Sequence, residues 1–293
     1  MQGLVIANIA DLYKIRTNEK VYEASARGKL KNEGISPVVG DNVEITITDE
    51  KNNIARIDKI KERKVYIKRP KLANISKLIL VVSSKDPKPD LLMLDKQLAF
   101  AEFLGIKSMI VLNKADLDKN KEFEKIKRIY ENINYKVCIT EAKLSKGIEE
   151  LKRELLNEVS AFSGNSGVGK STLINHIFES QITEEGEISK KNKRGKNTTT
   201  SSFLYTIDNN TYLADTPGFS TFGIDEIESK NLAKYFVEFD EFSKECEFIG
   251  CSHIKEECCN IKKAVETGKI SKSRYENYCK IYEELRKKEL RKW

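Results

Sequence analysis

Over the first 68 residues, apolar and polar side chains alternate in short runs. LVIANI, LYKIRT, KVYEASA, NVEITIT and NIARIDKI each present one apolar face, the period-two signature of half-buried strands. Turn-like stretches such as GKLKNEGISP and TDEKNN separate them. Five short strands in so little chain predict a small closed β-barrel over residues 1–68, with the OB-fold the leading candidate and an SH3-like barrel the alternative.

The rhythm then changes. KLILVVSS and SMIVLN are continuous apolar runs, as in strands covered on both faces of a parallel sheet. Between them LLMLDKQLAFAEFLG reads as a helix ended by Gly105. NKEFEKIKRIYENI gives a second helix, YKVCIT a strand, GIEELKRELLNEV a helix and VSAFS a strand. This alternation predicts a doubly wound α/β domain over residues 69–222. Residues 223–293 are helical in pattern outside a cysteine cluster. There Tyr275, Tyr278, Tyr282 and Leu285 recur at spacings of three and four and form one apolar stripe, read as packing residues. Ser273 followed by Glu276 is the expected cap of that helix.

Composition adds little to this division. Hydrophobic residues make up 39% of the 293 and charged residues 33%, as in a globular protein. No run of eighteen apolar residues exists, which excludes a membrane-spanning helix as the reading. The start, MQGLVIANIADLYKI, has no basic flank and no small-residue cleavage site, so it reads as a strand. The expected compartment is the cytoplasm. The net charge of +7 is modest but unevenly placed. Basic residues outnumber acidic ones fourteen to ten over residues 1–70, and eleven to five from Cys259 onward. Basic ends flanking a central domain suit a polyanion such as RNA, although solvated surface charge accounts for them equally well.

The candidate chemistry lies in the central domain. Gly164-Asn165-Ser166-Gly167-Val168-Gly169-Lys170-Ser171-Thr172 contains the full G-x-x-x-x-G-K-[ST] pattern, with a strand before it and the helix STLINHIF after it. Glycines let the backbone wrap closely, so that its N–H groups point at phosphate oxygens, and the helix N-terminus adds its dipole. Lys170 is expected to reach the β- and γ-phosphates, and Ser171 to ligate Mg²⁺. Asn113-Lys114-Ala115-Asp116 closes the strand MIVL. The Asp116 carboxylate there accepts from guanine N1–H and N2, a donor pair that adenine lacks. An unpaired buried carboxylate costs about 1–3 kcal/mol or more, which makes the discrimination strong. Thr140-Glu141-Ala142-Lys143 follows the next strand, and the Ala142 N–H is expected at guanine O6. Asp215-Thr216-Pro217-Gly218 follows TYLA. Asp215 is expected to hold Mg²⁺ through water, and the Gly218 N–H to sense the γ-phosphate. The loop KKNKRGKNTTTSS precedes it, and Thr199 or Thr200 is expected to close over Mg²⁺. Phe219 stands where many GTPases carry a water-orienting Gln, so slow intrinsic hydrolysis is expected.

Four of six cysteines fall between Cys246 and Cys259, with His253 among them. Three thiolates and an imidazole suit a closed structural Cys₃His zinc site, and of the adjacent Cys258 and Cys259 only one fits.

The base motif precedes the P-loop, which precedes T-T-T and then D-T-P-G. With a barrel in front and C-x4-C-x-H-x5-C behind, the chain resembles the RsgA family of circularly permuted GTPases of small-subunit biogenesis along essentially its whole length. That resemblance implies GTP hydrolysis stimulated by the 30S ribosomal subunit, rRNA contacts through the barrel and zinc domains, and a monomer. It also implies Cys246, Cys251, His253 and Cys259 as zinc ligands, with Cys258 outside. The family often carries G-R-H-T-T-T in the switch, whose His is held to take part in hydrolysis. Here Asn197 stands in its place. Asn orients a water but takes no proton near neutral pH. The rival reading is an RNA-associated placeholder that binds GTP and scarcely hydrolyses it.

Overall fold

The computed structural model describes residues 1–9, 12–28, 30, 34–179, 203–208, 210–215 and 223–291. The five alternating runs form strands β1 (Gln2–Ile9), β2 (Leu12–Arg16), β3 (Val21–Ala26), β4 (Asn42–Asp49) and β5 (Ile54–Ile60). Pairing runs β1–β2–β3–β5–β4 and returns from β4 to β1, so the ring closes. All pairs are antiparallel except β3–β5. Their inward side chains, among them Val5, Tyr13, Ile15, Tyr22, Val43 and Ile57, fill one core. Closure removes the free sheet edges that a five-stranded sheet would otherwise expose. β1 shifts register between Val5 and Ala7 and bridges at Ala7 to Phe203 of the central sheet.

A hairpin of β6 (Tyr66–Lys68) and β7 (Lys71–Ala73) follows the barrel. Its Ala73 N–H donates to the Val39 carbonyl at 2.9 Å, and in the connection before it the Arg63 guanidinium donates to both oxygens of the fully buried Asp41 at 2.7 and 2.8 Å.

The central sheet is built from β8 (Lys77–Ser83), β9 (Lys107–Asn113), β10 (Lys136–Thr140), β11 (Val159–Ser163), β12 (Phe203–Asp208) and β13 (Thr211–Asp215). Its order is β10-β9-β8-β11-β13-β12, parallel apart from β12. The chain runs outward from β8 to β10, then returns to the other side of β8. β8 and β11 therefore flank the switch point, where such sheets open a crevice at their carboxyl ends. Helices α1 (Leu91–Leu104) and α2 (Glu122–Glu131) cover one face, packed on Leu78, Leu80, Ile110 and Leu112. Helices α3 (Ile148–Leu155) and α4 (Lys170–Glu179) cover the other, packed on Ile79, Val81, Met109 and Val111. Adjacent residues of one strand thus serve opposite cores, which is why these strands read as continuous apolar runs.

Beyond residue 223 come short 3₁₀ helices at Ile224–Glu226 and Ser229–Tyr235, then α5 (Phe239–Ser243), α6 (Asn260–Glu266) and α7 (Lys272–Leu290). Their core, including Leu232, Phe236, Phe239, Tyr278 and Ile281, also takes in Ala99 and Phe100 of α1. Helix α1 is therefore apolar on two faces, one for the sheet and one for the C-terminal unit. Inside this contact the buried Asp95 of α1 accepts from Arg274 Nη1 at 2.6 Å, Asn277 Nδ2 at 2.7 Å and Tyr130 OH at 2.7 Å. Arg274 also grips Glu238 with two bonds of 2.7 and 2.8 Å. Burial opposes the charge on Arg274, but the two carboxylates outweigh it and hold the guanidinium ionised.

The predicted stripe of α7 packs inward at Tyr278 and Leu285. The predicted cap is corrected. Ser271, with extended backbone, is the capping position, and Ser273 lies inside the first turn, its hydroxyl 2.9 Å from that of Ser271.

Candidate nucleotide and metal sites

The carboxyl ends of the parallel strands lie side by side, and every sequence-predicted nucleotide residue within the described chain sits there. Residues 164–169 leave β11 as a tight loop, and α4 starts at Lys170, its first turn closed by the bond from Leu173 N–H to the Gly169 carbonyl at 3.0 Å. Two glycines are required by space as well as by backbone. Gly164 has φ +138, and a Cβ there would lie 2.2 Å from the Val81 carbonyl oxygen. Gly169 has φ +99, and its Cβ would lie 2.3 Å from Asn113 Nδ2. Val168 is buried beneath the loop, Ser166 and Gly167 are exposed at its rim, and Asn165, Ser171 and Thr172 are half-buried around its mouth. Lys170 Nζ donates to the carbonyls of Gly164 and Asn165 at 2.6 and 2.8 Å. Burial lowers its pKa, so the ammonium is a desolvated charge that an anion in the loop would relieve.

Asn113 joins the three loops. It is 1% exposed at the end of β9. Its Nδ2 donates to the Val168 carbonyl at 2.9 Å, and its Oδ1 accepts from Thr140 Oγ1 at 3.0 Å and Ala142 N–H at 3.3 Å. One amide therefore ties the phosphate loop to the end of β10 and the residues after it. The Ala142 N–H, expected at guanine O6, points back to Asn113 here. Lys114 takes a left-handed backbone, and its ammonium lies on the carbonyls of Asp86 and, at 3.3 Å, Lys85. That contact lays its alkyl chain beside the loop 84–90. Asp116 sits in the single turn Ala115–Leu117 with its carboxylate exposed, open to a donor pair. Asp215 ends β13, opposite Phe203. Asn197, Thr198, Thr199, Thr200, Thr216, Gly218 and Phe219 lie outside the described residues.

Two residues at this site escaped the sequence reading. Asp90 caps α1 by accepting from Met93 N–H at 2.9 Å, and its other oxygen accepts from Asn165 Nδ2 at 3.2 Å. Gln97, 2% exposed, donates to Ser163 Oγ at 2.9 Å. An Asp before an apolar helix and a Gln within its apolar face are the signals each leaves in the sequence.

The second cluster lies in the C-terminal unit. The ligand atoms of Cys246, Cys251, His253 and Cys259 all fall within 4.8 Å of one another. His253 Nδ1 is 3.6 Å from Cys246 Sγ and 3.4 Å from Cys259 Sγ. Zinc bonds of about 2.0–2.3 Å at tetrahedral angles place ligands about 3.3–3.8 Å apart, so these spacings fit the ion. Cys258 is exposed and outside the cluster. Burial, with Cys259 beside it, pushes the Cys251 thiol up to about 12, and burial lowers the His253 pKa. Cys251 and His253 thus favour their uncharged forms unless a cation joins them. His253 has φ +60, a left-handed backbone unusual for a side chain with a Cβ. Its carbonyl accepts from Tyr275 OH and that of Ser252 from Tyr278 OH, each at 2.7 Å. Glu256 accepts from the N–H groups of Ser252, Ile254 and Lys255. Burial pushes its carboxyl up, but these bonds prevail and bring it to about 2.

Comparison with known proteins agrees with this geometry. The RsgA GTPase family model matches residues 60–225 and the RsgA N-terminal domain model residues 2–54. The small ribosomal subunit biogenesis GTPase RsgA of Alkaliphilus metalliredigens is 40% identical over 98% of both chains. That of Clostridium novyi is 40% identical over the full length of both. The crystal structure of YjeQ from Thermotoga maritima superposes with a TM-score of 0.84 at 35% identity, covering 97% of this chain and 98% of that one. YloQ, described as a circularly permuted GTPase, gives 0.81 at 28% identity over 98% and 95%. The barrel, the permuted nucleotide domain and the helical unit bearing the Cys/His cluster together place this chain in the RsgA GTPase family.

Proposed function

We propose that this chain is a GTP phosphohydrolase of late 30S maturation that engages the small subunit with GTP bound and leaves it after hydrolysis. The observation that carries the reading is the Asn113 amide, which holds the base-reading loops and the phosphate loop in one fixed relation. Asp116 accepts from the guanine edge, Lys114 lies along the base, and a rotation of the Asn113–Ala142 contact frees the Ala142 N–H for O6. Lys170 exchanges the carbonyls of Gly164 and Asn165 for the β- and γ-phosphates, while the amides of residues 166–172 surround the phosphate oxygens. Ser171 and Asp215 would hold Mg²⁺, which neutralises charge on the β- and γ-oxygens. Asn197, Thr199 and Gly218 are assigned to the γ-phosphate side. Asn197 orients the attacking water without removing its proton, so the partner supplies the missing acceleration.

The barrel, residues 1–68, and the C-terminal unit, residues 223–293, are assigned to ribosomal RNA, with the GTPase domain 69–222 between them. One Zn²⁺ on Cys246, Cys251, His253 and Cys259 serves the C-terminal fold, since four protein ligands leave no open position for chemistry. The chain acts as a cytoplasmic monomer. No helix among the described residues is long and apolar enough to cross a membrane. The test is multiple-turnover GTP hydrolysis with and without 30S subunits, joined to co-sedimentation with a non-hydrolysable GTP analogue or GDP. Stimulated hydrolysis and tighter association with the analogue are expected. Equal association in both nucleotide states removes the release cycle, and hydrolysis without stimulation removes the partner's catalytic role.

A further inference from the structure

The nucleotide loop and the metal loop are attached to opposite ends of one hydrogen-bonded frame. At the first end, α1 touches the phosphate loop through its cap Asp90, which accepts from Asn165, and the strand end just before the loop through Gln97, which donates to Ser163. Between these two positions Asp95 is fully buried and carries Arg274 and Asn277 of α7. At the second end, the neighbouring α7 residues Tyr275 and Tyr278 donate to the carbonyls of His253 and Ser252. A single turn of α7 therefore faces the GTPase domain with one pair of side chains and the metal loop with the next.

The frame has little slack. Helix α1 is packed on the sheet through Leu94 and Leu98 and on the C-terminal core through Ala99 and Phe100, so two of its faces are held and none of its residues is fully exposed. Separating Arg274 from Asp95 would leave a buried carboxylate unpaired, which close-packed interiors strongly resist. A displacement at either end is thus passed on rather than absorbed in the middle. His253, in a left-handed backbone, also accepts from the Tyr275 hydroxyl at its carbonyl, so the position of this cluster residue is tied to α7.

We propose that a zinc ion on the Cys/His cluster and a guanine nucleotide on the phosphate loop bind with positive coupling, transmitted by α1 and α7 through the Asp95–Arg274 contact. It rests on the nucleotide and metal readings of the two sites given above. Each ligand orders one end of the frame, and the second to arrive meets an end already ordered, so it loses less conformational freedom. Linkage requires the effect to be reciprocal: the factor by which GDP tightens zinc equals the factor by which zinc tightens GDP.

The test uses the full chain, stripped of metal and nucleotide, with Zn²⁺ affinity measured by chelator competition with and without saturating GDP. GDP is expected to tighten Zn²⁺ at least about fivefold, the lower end of typical coupling between sites. The Tyr275→Phe/Tyr278→Phe double variant keeps both rings, and hence the packing, but removes both hydroxyl bonds. It is expected to cut the ratio to half or less. Both ligands binding with a smaller ratio in the natural chain overturns the coupling alone. A double variant that keeps more than half of the ratio overturns this route for it. A chain that takes up no GDP or no Zn²⁺ overturns the site assignment and the coupling with it.

Discussion

Replacing Asn113 with Ala tests whether one buried amide assembles the nucleotide site. The substitution strands three groups: the Val168 carbonyl, the Thr140 hydroxyl and the Ala142 N–H, bonded to Asn113 at 2.9, 3.0 and 3.3 Å. A net hydrogen bond contributes about 0.5–1.5 kcal/mol, and all three are buried, so a loss of roughly 2–4 kcal/mol is expected in total. The loss divides between folding and binding. Urea denaturation of the nucleotide-free chain measures the first part, and titration with a fluorescent GDP measures the second. If half of the loss appears in binding, GDP affinity falls about 5–30-fold. Asn113→Asp separates the three bonds. It keeps an acceptor for Thr140 and Ala142 but faces the Val168 carbonyl with an oxygen, so it should weaken binding at least as much as Ala does. Gly169→Ala reaches the same contact from the other side, since its Cβ would lie 2.3 Å from Asn113 Nδ2. Its effect and that of Asn113→Ala should therefore be non-additive in a double-mutant cycle. A change in stability below about 0.5 kcal/mol together with less than a twofold change in affinity for Asn113→Ala would refute the joining role.

Arg274→Met leaves Asp95 and Glu238 buried without their cation and should cost about 3–5 kcal/mol in urea denaturation, whereas removing all three charges together should cost much less. Equal losses for the single and triple variants would count against the buried ion-pair account. Cys259→Ser should lower the zinc content measured by atomic absorption from one per chain to near zero, while Cys258→Ser, whose side chain is exposed and outside the cluster, should leave it at one. The Lys170 ammonium, lowered by burial, is raised again by bound phosphate, so GDP binding should take up a proton in the alkaline range. Affinity should fall as pH rises through the depressed value and stay flat below it. Calorimetry in buffers of different ionisation enthalpy checks the sign, and proton release from Lys170 on binding would contradict it.

What could be read in advance follows the range of the forces involved. The barrel strands were legible because each buries one face, and a period of two survives in the sequence without reference to any partner. Their order was not, since nothing in NVEITIT or NIARIDKI says that β5 pairs with β3 in parallel while β4 closes onto β1. The phosphate loop was legible because its backbone must bend within nine consecutive residues, and only glycine tolerates the approaches seen at positions 164 and 169. A Cys/His cluster was legible for the same reason of short range, but the choice of Cys259 over Cys258 came from the family resemblance. The cap of α7 was misread because Ser273 with Glu276 fits the capping motif, whereas Ser271 has Arg274 three residues on; the extended backbone of Ser271 nevertheless makes it the capping position. Asp95 is a charge inside an apolar helix that the sequence reading passed over, and its partner lies 179 residues away, beyond any local pattern.

The permuted order of the motifs acquires a physical consequence in α1. In this chain the helix that follows β8 comes before the phosphate loop in sequence, yet packs beside it in space through Gln97 and Ser163. Because permutation moves the end of the nucleotide domain to β13, the chain leaves that domain next to Asp215 and enters the C-terminal unit at once, at Ile224–Glu226. The unit then folds back over α1, burying Phe100 against Phe236 and its neighbours. An unpermuted order would begin at the phosphate strand and end after α3, on the opposite face of the sheet from α1. A domain appended there would meet α3 or α4 first, and the Asp95–Arg274 contact would need a long connection around the sheet edge. Connections between packed elements are usually short. The permutation therefore places the unit that bears the Cys/His cluster against α1, which reaches the phosphate loop from the face of the domain turned away from α4.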